Sequence, residues 1–291
     1  MNRLLALLVA SLACLGQPLL AQAPVSRGHL VLVGGGDKPD AAMRKFIELA
    51  GGPAAPIVVL PTASEEVDAA EYYAKLFQDE LGCANARVLD VKTREDAARP
   101  AFVEATAAAR GIFFGGGDQA RITRALLDTP LGDAIAAAHA HGAVVGGTSA
   151  GTACQSALMI TGEGDFTVIR DDSVELTRGL GFFRGVIVDQ HFIARQRENR
   201  LLSVILERPD LLGVGVDEDT AIWVRPDDTF EVLGTRSVMV LDASGARVAR
   251  ESARGGGLLG VHDLRVHILL PGEGYDIVKR APIAPAPART E

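Results

Sequence analysis

The sequence predicts an α/β protein: a mostly parallel sheet with helices on both faces, followed by an antiparallel, strand-rich C-terminal extension. Three observations carry this. Short continuous apolar runs such as Ile57-Val58-Val59-Leu60 and Gly111-Ile112-Phe113-Phe114 alternate with segments of helical periodicity, the pattern of strands buried on both faces. Several of the runs end in glycine-rich turns, where a strand of such a sheet hands over to the next helix. Apolar residues make up 48% of the 291 and charged residues 23%, a composition that supports a sizeable core and argues against disorder over most of the chain.

Taken in order, 29–33 reads as a strand running into Gly34-Gly35-Gly36, 41–50 as a helix, and 57–60 as a buried strand closed by Pro61. A helix over 69–81, a strand over 87–91 and a helix over 100–109 follow. The strand 111–114 opens into Gly115-Gly116-Gly117-Asp118-Gln119, and helices over 121–127 and 131–141 lead to the strand that begins at Val144. Beyond it, 186–188 is a strand and 195–207 a long polar helix. Shorter strands over 213–216, 221–224, 229–233, 237–241 and 264–269 form the antiparallel flank. Residues 24–280 are expected to be one domain, and the proline- and alanine-rich 281–291 a disordered tail. Gly34-Gly35-Gly36 lacks the G-x-G-x-x-G spacing and the acidic residue about 20 positions on that a dinucleotide site needs. It reads as a tight turn at a strand end.

The N-terminus has its own pattern. Arg3, an apolar run over 4–15 and the small-x-small triplet Ala21-Gln22-Ala23 before Pro24 predict a secretory signal peptide over 1–23. The run is short for a bilayer span, so the expectation is export, to the periplasm or beyond, with no membrane attachment after cleavage. Losing Arg3 moves the formal charge from −8 to −9, a balance that argues against nucleic acid as a partner. Cys83 and Cys154 then remain, too few for a disulfide framework or a metal site. Cys154 is expected as a small buried apolar side chain.

The chemistry centres on Val144-Val145-Gly146-Gly147-Thr148-Ser149-Ala150-Gly151, an apolar strand entering G-x-S-x-G ahead of a helix-compatible segment. This is the sequence form of a nucleophile elbow, in which a sharp turn presents the serine hydroxyl at the sheet edge. The amide of Ala150 then faces the developing oxyanion, and Gly116 or Gly117, ending a neighbouring strand, is the natural second donor. A glycine-rich turn that merely contains a serine is the bland alternative. A general base is needed beside Ser149; His191, just past the buried strand in Val188-Asp189-Gln190-His191, emerges at the same edge. His29, His139, His141, His262 and His267 are placed less well. For the acid that orients the base, the loop Thr161-Gly162-Glu163-Gly164-Asp165-Phe166 offers Glu163 first and Asp165 second, with Asp171 and Asp172 left open. Arg197 and Arg200 share a helix face and suit a substrate carboxylate, although a solvated face is the plainer reading. Asp217-Glu218-Asp219-Thr220 is an acidic strand-end loop, suited either to a cationic substrate group or to a polar turn.

Four blocks of the chain, 113–121, 147–152, 189–202 and 215–222, together resemble the cyanophycinases and the related aspartyl dipeptidases, in that family's order. The similarity runs over about 29–241. The resemblance implies a fold like that of the class I glutamine amidotransferases, with serine where those enzymes carry cysteine. It implies a serine exopeptidase acting on β-linked aspartyl peptides and, in cyanophycinase, releasing β-Asp-Arg dipeptides from an arginine-decorated polyaspartate. Carried over by position, it implies Ser149 as nucleophile and His191 as base. It also implies Gln119, Asp189, Gln190, Arg197 and Arg200 as substrate-pocket residues, no metal or organic cofactor, and a homodimer. The acid does not carry over, because the 162–166 loop departs from the family pattern. Two other readings stand beside this one: a dipeptidase for small aspartyl or isoaspartyl peptides, and a non-catalytic binding protein on the same fold.

Overall fold

The computed structural model describes residues 27–251 and 257–285. The expected signal peptide over 1–23 and the end of the expected tail, 286–291, lie outside the described residues.

The first half builds the parallel core: β1 (Leu30–Val33), α1 (Asp40–Ala50), β2 (Ile57–Leu60), α2 (Ala69–Ala74), β3 (Ala86–Val88), α3 (Pro100–Ala107), β4 (Gly111–Phe114), α4 (Gln119–Leu126), α5 (Pro130–Ala140) and β5 (Val144–Thr148). The helix expected over 69–81 is α2 continued by a wider π-helical turn, Lys75–Glu80. A four-residue helix, α6 (Ala150–Ala153), is all that follows the serine before the chain turns into β6 (Leu158–Gly164) and β7 (Val174–Arg178). Then come β8 (Val186–Gln190), α7 (Glu198–Glu207), β9 (Leu212–Val216), β10 (Thr220–Val224), β11 (Thr229–Gly234) and β12 (Val238–Asp242). The last elements are β13 (Arg247–Arg250), β14 (Leu259–His262), β15 (Arg265–Leu269), β16 (Gly274–Asp276) and β17 (Ala281–Ile283).

Nine strands form the main sheet in the order β17-β16-β11-β10-β1-β5-β4-β2-β3. From β1 to β3 it is parallel; from β10 outward it is antiparallel. A second sheet, β15-β12-β9-β8, has β8 and β9 parallel and the rest antiparallel. All four residues of β1, β2 and β4 are buried, because alternate side chains of each strand meet a different layer. Val31, Val33, Val59 and Phe113 face α1 and the aromatic pair Tyr73 and Phe77. Leu30, Leu32, Ile112 and Phe114 face the other way, into a core shared with Val188, Val214 and Val240 of the second sheet. The second sheet turns Ile187 and Leu241 outward onto α7 through Leu201 and Ile205. The mixed sheet, helix-flanked core and antiparallel C-terminal strands agree with the expected class.

Three local expectations are corrected. The helix expected from 195 begins at Glu198, because Gln196 takes a left-handed conformation (φ 53°) and the preceding residues close a turn around His191. The acidic segment 161–164, expected as a loop, belongs to strand β6, paired with β7. Residues 281–283, expected in a disordered tail, form the edge strand β17, paired with β16 through Tyr275 and Pro282. Proline is tolerated there because an edge strand does not need every N–H. Cys83 and Cys154 are both free and buried.

Candidate active site

Ser149 follows β5 with φ 54° and ψ −113°, a conformation that costs a non-glycine residue about 1–3 kcal/mol and persists only where its surroundings over-determine it. Here they do. The Ser149 amide donates to the Val33 carbonyl at 3.0 Å. Thr152 Oγ1 donates to the carbonyls of Val33 (2.7 Å) and Gly147 (3.0 Å), locking the return of the chain. The two flanking glycines are required by contact: a Cβ at Gly147 would lie 2.3 Å from the Gly151 carbonyl oxygen, and one at Gly151 2.3 Å from that of Phe114.

His191 follows β8, with its amide donating to the Gly34 carbonyl at 2.7 Å. Its Nε2 lies 2.8 Å from Ser149 Oγ, and its Nδ1 lies 2.6 Å from Glu218 Oε1. An ionised carboxylate only accepts, so Nδ1 carries the proton to Glu218. Nε2 is left as the acceptor for the serine hydroxyl. The residue is 6% exposed, and burial lowers the pKa of its ring below 6.5. Arg195 and Arg197 push the same way, against the hydrogen bond that Nδ1–H donates to Glu218.

The carboxylate at the imidazole is therefore Glu218 rather than Glu163, Asp165, Asp171 or Asp172. The reason is topological. β10 runs antiparallel to β1, with Ala221 opposite Val33, so the β9–β10 turn arrives where β1 ends. Its flanking acids fix it: Asp217 Oδ1 accepts from the Ala194 amide (2.9 Å), and Asp219 Oδ1 accepts from the Asp37 amide (2.8 Å). The Asp219 amide donates to the Gly35 carbonyl at 2.9 Å, and Arg236 spans both acids. Asp217-Glu218-Asp219 was visible in the sequence as a loop following a buried strand, the same signal that marks His191.

Beside Ser149 lies a cavity of about 480 Å³, lined among others by Gly117, Gln119, Glu163, Gln190 and Arg197. Arg197 Nη1 donates to the carbonyl (2.7 Å) and side-chain oxygen (2.6 Å) of Gln190. Burial and the neighbouring Arg200 bring its pKa down to about 10, which leaves it cationic at neutral pH. Asp189 is absent from the cavity lining. It is 1% exposed and grips Arg200 in a two-pronged ion pair, Nε to Oδ2 at 2.7 Å and Nη2 to Oδ1. Its carboxylate is consumed there and holds Arg200 in place. Gln119 donates its amide to the carbonyls of Ile160 (2.9 Å) and Thr161 (2.8 Å), so only its oxygen remains as an acceptor.

Of the expected oxyanion donors, Ala150 and Gly117 donate to no protein acceptor among the described residues. The Gly116 amide is spent on Tyr73, whose hydroxyl accepts it at 3.0 Å. Burial pushes the Tyr73 phenol up to about 12, so it stays protonated. No sequence signal marked Tyr73, which reads as an ordinary core aromatic. Among the described residues no group of three or more His, Cys, Asp or Glu side chains is gathered to hold a metal ion.

Serine, imidazole and carboxylate in one hydrogen-bonded row at the edge of an α/β sheet are the apparatus of a serine-type peptidase. The chain matches the model of peptidase family S51 over residues 30–232, and it belongs to that family. It is 36% identical over 256 residues to the cyanophycinase of Nostoc sp., covering 86% of each chain. To that of Geminocystis herdmanii it is 36% identical over 269 residues, 89% of this chain and 97% of the other. Its fold is shared with the crystal structure of a peptidase from an acI-B1 actinobacterium, with a TM-score of 0.65 and 26% identity over 87% of this chain and 98% of that one.

Two outcomes follow from the row. Glu218→Gln is expected to lower kcat by about 10³- to 10⁴-fold, since an amide leaves the ring in the wrong tautomer. A loss of that size from Glu163→Gln, with Glu218→Gln still active, would return the acid role to the sequence assignment. The neutral ring is the base and its pKa is lowered, so kcat/KM is expected to rise with pH along a limb centred below 6.5 and to be flat at neutrality. Arg195→Met removes a cation that opposes ring protonation, so the limb moves up. A wild-type midpoint above 6.5 would contradict the burial argument.

Proposed function

We propose that this protein is an exported serine exopeptidase that degrades cyanophycin, releasing β-Asp-Arg dipeptides through an acyl-enzyme on Ser149. The observation that carries the reading is the row Ser149–His191–Glu218 opening onto a cavity with a cationic wall at Arg195, Arg197 and Arg200. Two relatives named as cyanophycinases, aligned over most of the chain, support the substrate.

In this mechanism Ser149 Oγ attacks a main-chain carbonyl of the polyaspartate while its proton passes to His191 Nε2. Glu218 stabilises the imidazolium through Nδ1–H. The amides of Ala150 and Gly117 receive the oxyanion, where preorganised donors are worth most. The tetrahedral species collapses, the C–N bond breaks, and His191 returns the proton to the leaving amine. Water, deprotonated by the same ring, then attacks the Ser149 ester and regenerates the hydroxyl. Arg197 holds a substrate carboxylate through its remaining N–H groups, with the Gln190 amide and the Gln119 oxygen as neighbouring contacts. The N-terminal pattern supports action on polymer outside the cytoplasm.

The mature protein and its Ser149→Ala variant, incubated with insoluble cyanophycin, are expected to differ completely, with β-Asp-Arg appearing by mass spectrometry from the wild type alone. No release by an enzyme that a fluorophosphonate still labels at Ser149 would discard the polymer and keep the hydrolase. Expressed with its N-terminus intact, the exported protein is expected to begin at Pro24 on N-terminal sequencing. An unprocessed Met1 in the product would remove the export proposal.

A further inference from the structure

Glu163, displaced from the triad, still lines the cavity. Strand β6 pairs regularly with β7 as far as Ile160, opposite Leu176, and resumes only at Gly164, opposite Val174. Three residues, Thr161, Gly162 and Glu163, therefore span what Glu175 alone spans on the partner strand. Such a bulge breaks the ladder and re-aims side chains, commonly beside an active site. Gly162 and Gly164 take positive φ angles of 107° and 134°, which lets the backbone make the detour. Two contacts hold the detour in place. The Gln119 amide clamps the carbonyls of Ile160 and Thr161, and the Glu163 amide donates to Thr161 Oγ1 at 3.2 Å. Thr161, Gly162 and Glu163 all line the cavity that holds Ser149.

Two acids line that cavity, Asp118 and Glu163. Asp118 is occupied: its Oδ1 caps α4 by accepting from the Ala120 amide at 2.8 Å, and Arg121 stands 3.9 Å from its Oδ2. The Glu163 carboxylate has neither a hydrogen-bond donor nor a cation on it among the described residues. On the cationic wall, Arg200 is spent on Asp189 and Arg197 keeps N–H groups free. Arg195 reaches the Glu218 carboxylate only at 3.9 Å, so the cavity is bipolar, with cations available at Arg195 and Arg197 and one available anion, Glu163.

We infer that Glu163 is the specificity-determining residue that selects a cationic side chain on the substrate, and that the bulge clamped by Gln119 exists to present it. This rests on the aspartyl-peptide reading above, and it assigns the two poles to one arginyl unit. Arg197 takes its carboxylate and Glu163 its guanidinium, by a charge-assisted and geometrically matched pair of hydrogen bonds. A substrate side chain of equal shape without the charge forfeits that pair, and the site discriminates against it by the loss of those hydrogen bonds.

The test compares β-Asp-Arg-bearing polymer with the same polymer carrying citrulline, which replaces the guanidinium by a neutral ureido group. Wild-type enzyme is expected to prefer arginine in kcat/KM by about 10- to 100-fold, the range of one charged hydrogen-bonded contact. In Glu163→Gln that ratio is expected to fall to within a few-fold of one, mainly through KM on the arginine substrate. Glu163→Lys is expected to reverse it. Binding of free β-Asp-Arg to Ser149→Ala, with and without Glu163→Gln, by calorimetry, is expected to show the same loss without any turnover. An arginine-to-citrulline ratio that survives Glu163→Gln, or equal losses on both substrates, would overturn the assignment while leaving the aspartyl-peptidase intact. Wild-type enzyme inert on both polymers would remove the proposed substrate, and this assignment with it.

Discussion

Three successive carbonyls at the end of β1 organise the site. Val33, Gly34 and Gly35 accept, in turn, from the amides of Ser149, His191 and Asp219. Each of those amides belongs to a different segment of chain, and each segment carries or adjoins one member of the Ser149–His191–Glu218 row. The row is thus registered by backbone hydrogen bonds, which buried N–H and C=O groups are bound to make. The same turn leaves no room to drift. A Cβ on Gly35 would lie 2.2 Å from the His191 ring, so the glycine lets the imidazole lie flat against the backbone. A carbonyl comb of this kind explains why Ser149 and His191 can both hold positive φ angles without the strain relaxing the site.

Electrostatics at the site runs against that of the whole molecule. The chain carries a formal charge of −8, yet Arg195, Arg197 and Arg200 crowd the segment next to the base. Burial of the ring, joined by the field of Arg195 and Arg197, outweighs the stabilising contact with Glu218 and holds the imidazole pKa below its ordinary value. The buried Asp189–Arg200 pair removes one of those cations from the cavity. Pairs of that kind contribute little net stability against a well-packed apolar alternative, and much of their use is in holding a defined arrangement. Net charge accordingly predicts little about what a local cavity will bind.

The legible part of the structure was the part written in local pattern. Continuous apolar runs marked the parallel strands because burial on both faces demands such runs, and G-x-S-x-G marked the turn at Ser149 because two close backbone approaches exclude side chains there. His191 was reachable by one further step, that a residue just past a buried strand lies at the sheet edge. Glu218 was not reached, although it obeys the same rule. Placing it requires knowing that β10 reverses beside β1, and that pairing joins residues far apart in the chain with no local signature. Glu163 lies in the acidic segment between the serine and the base, but proximity in sequence says nothing once β6 bulges away toward the cavity. The left-handed Gln196 that delays α7 and the edge pairing of β17 are likewise tertiary facts, each overriding a reasonable local preference.

The late position of β10 has a bearing on how the molecule behaves while it is being made. The carbonyls of β1 emerge from the ribosome early, but the turn bearing Glu218 and the strand that docks it beside β1 emerge nearly two hundred residues later. Until β10 closes against β1, the imidazole has no carboxylate and the Gly35 carbonyl has no donor. The full Ser149–His191–Glu218 row therefore waits on the docking of β10 beside β1. A chain that ends before this turn holds the serine and the histidine without the carboxylate that orients the base.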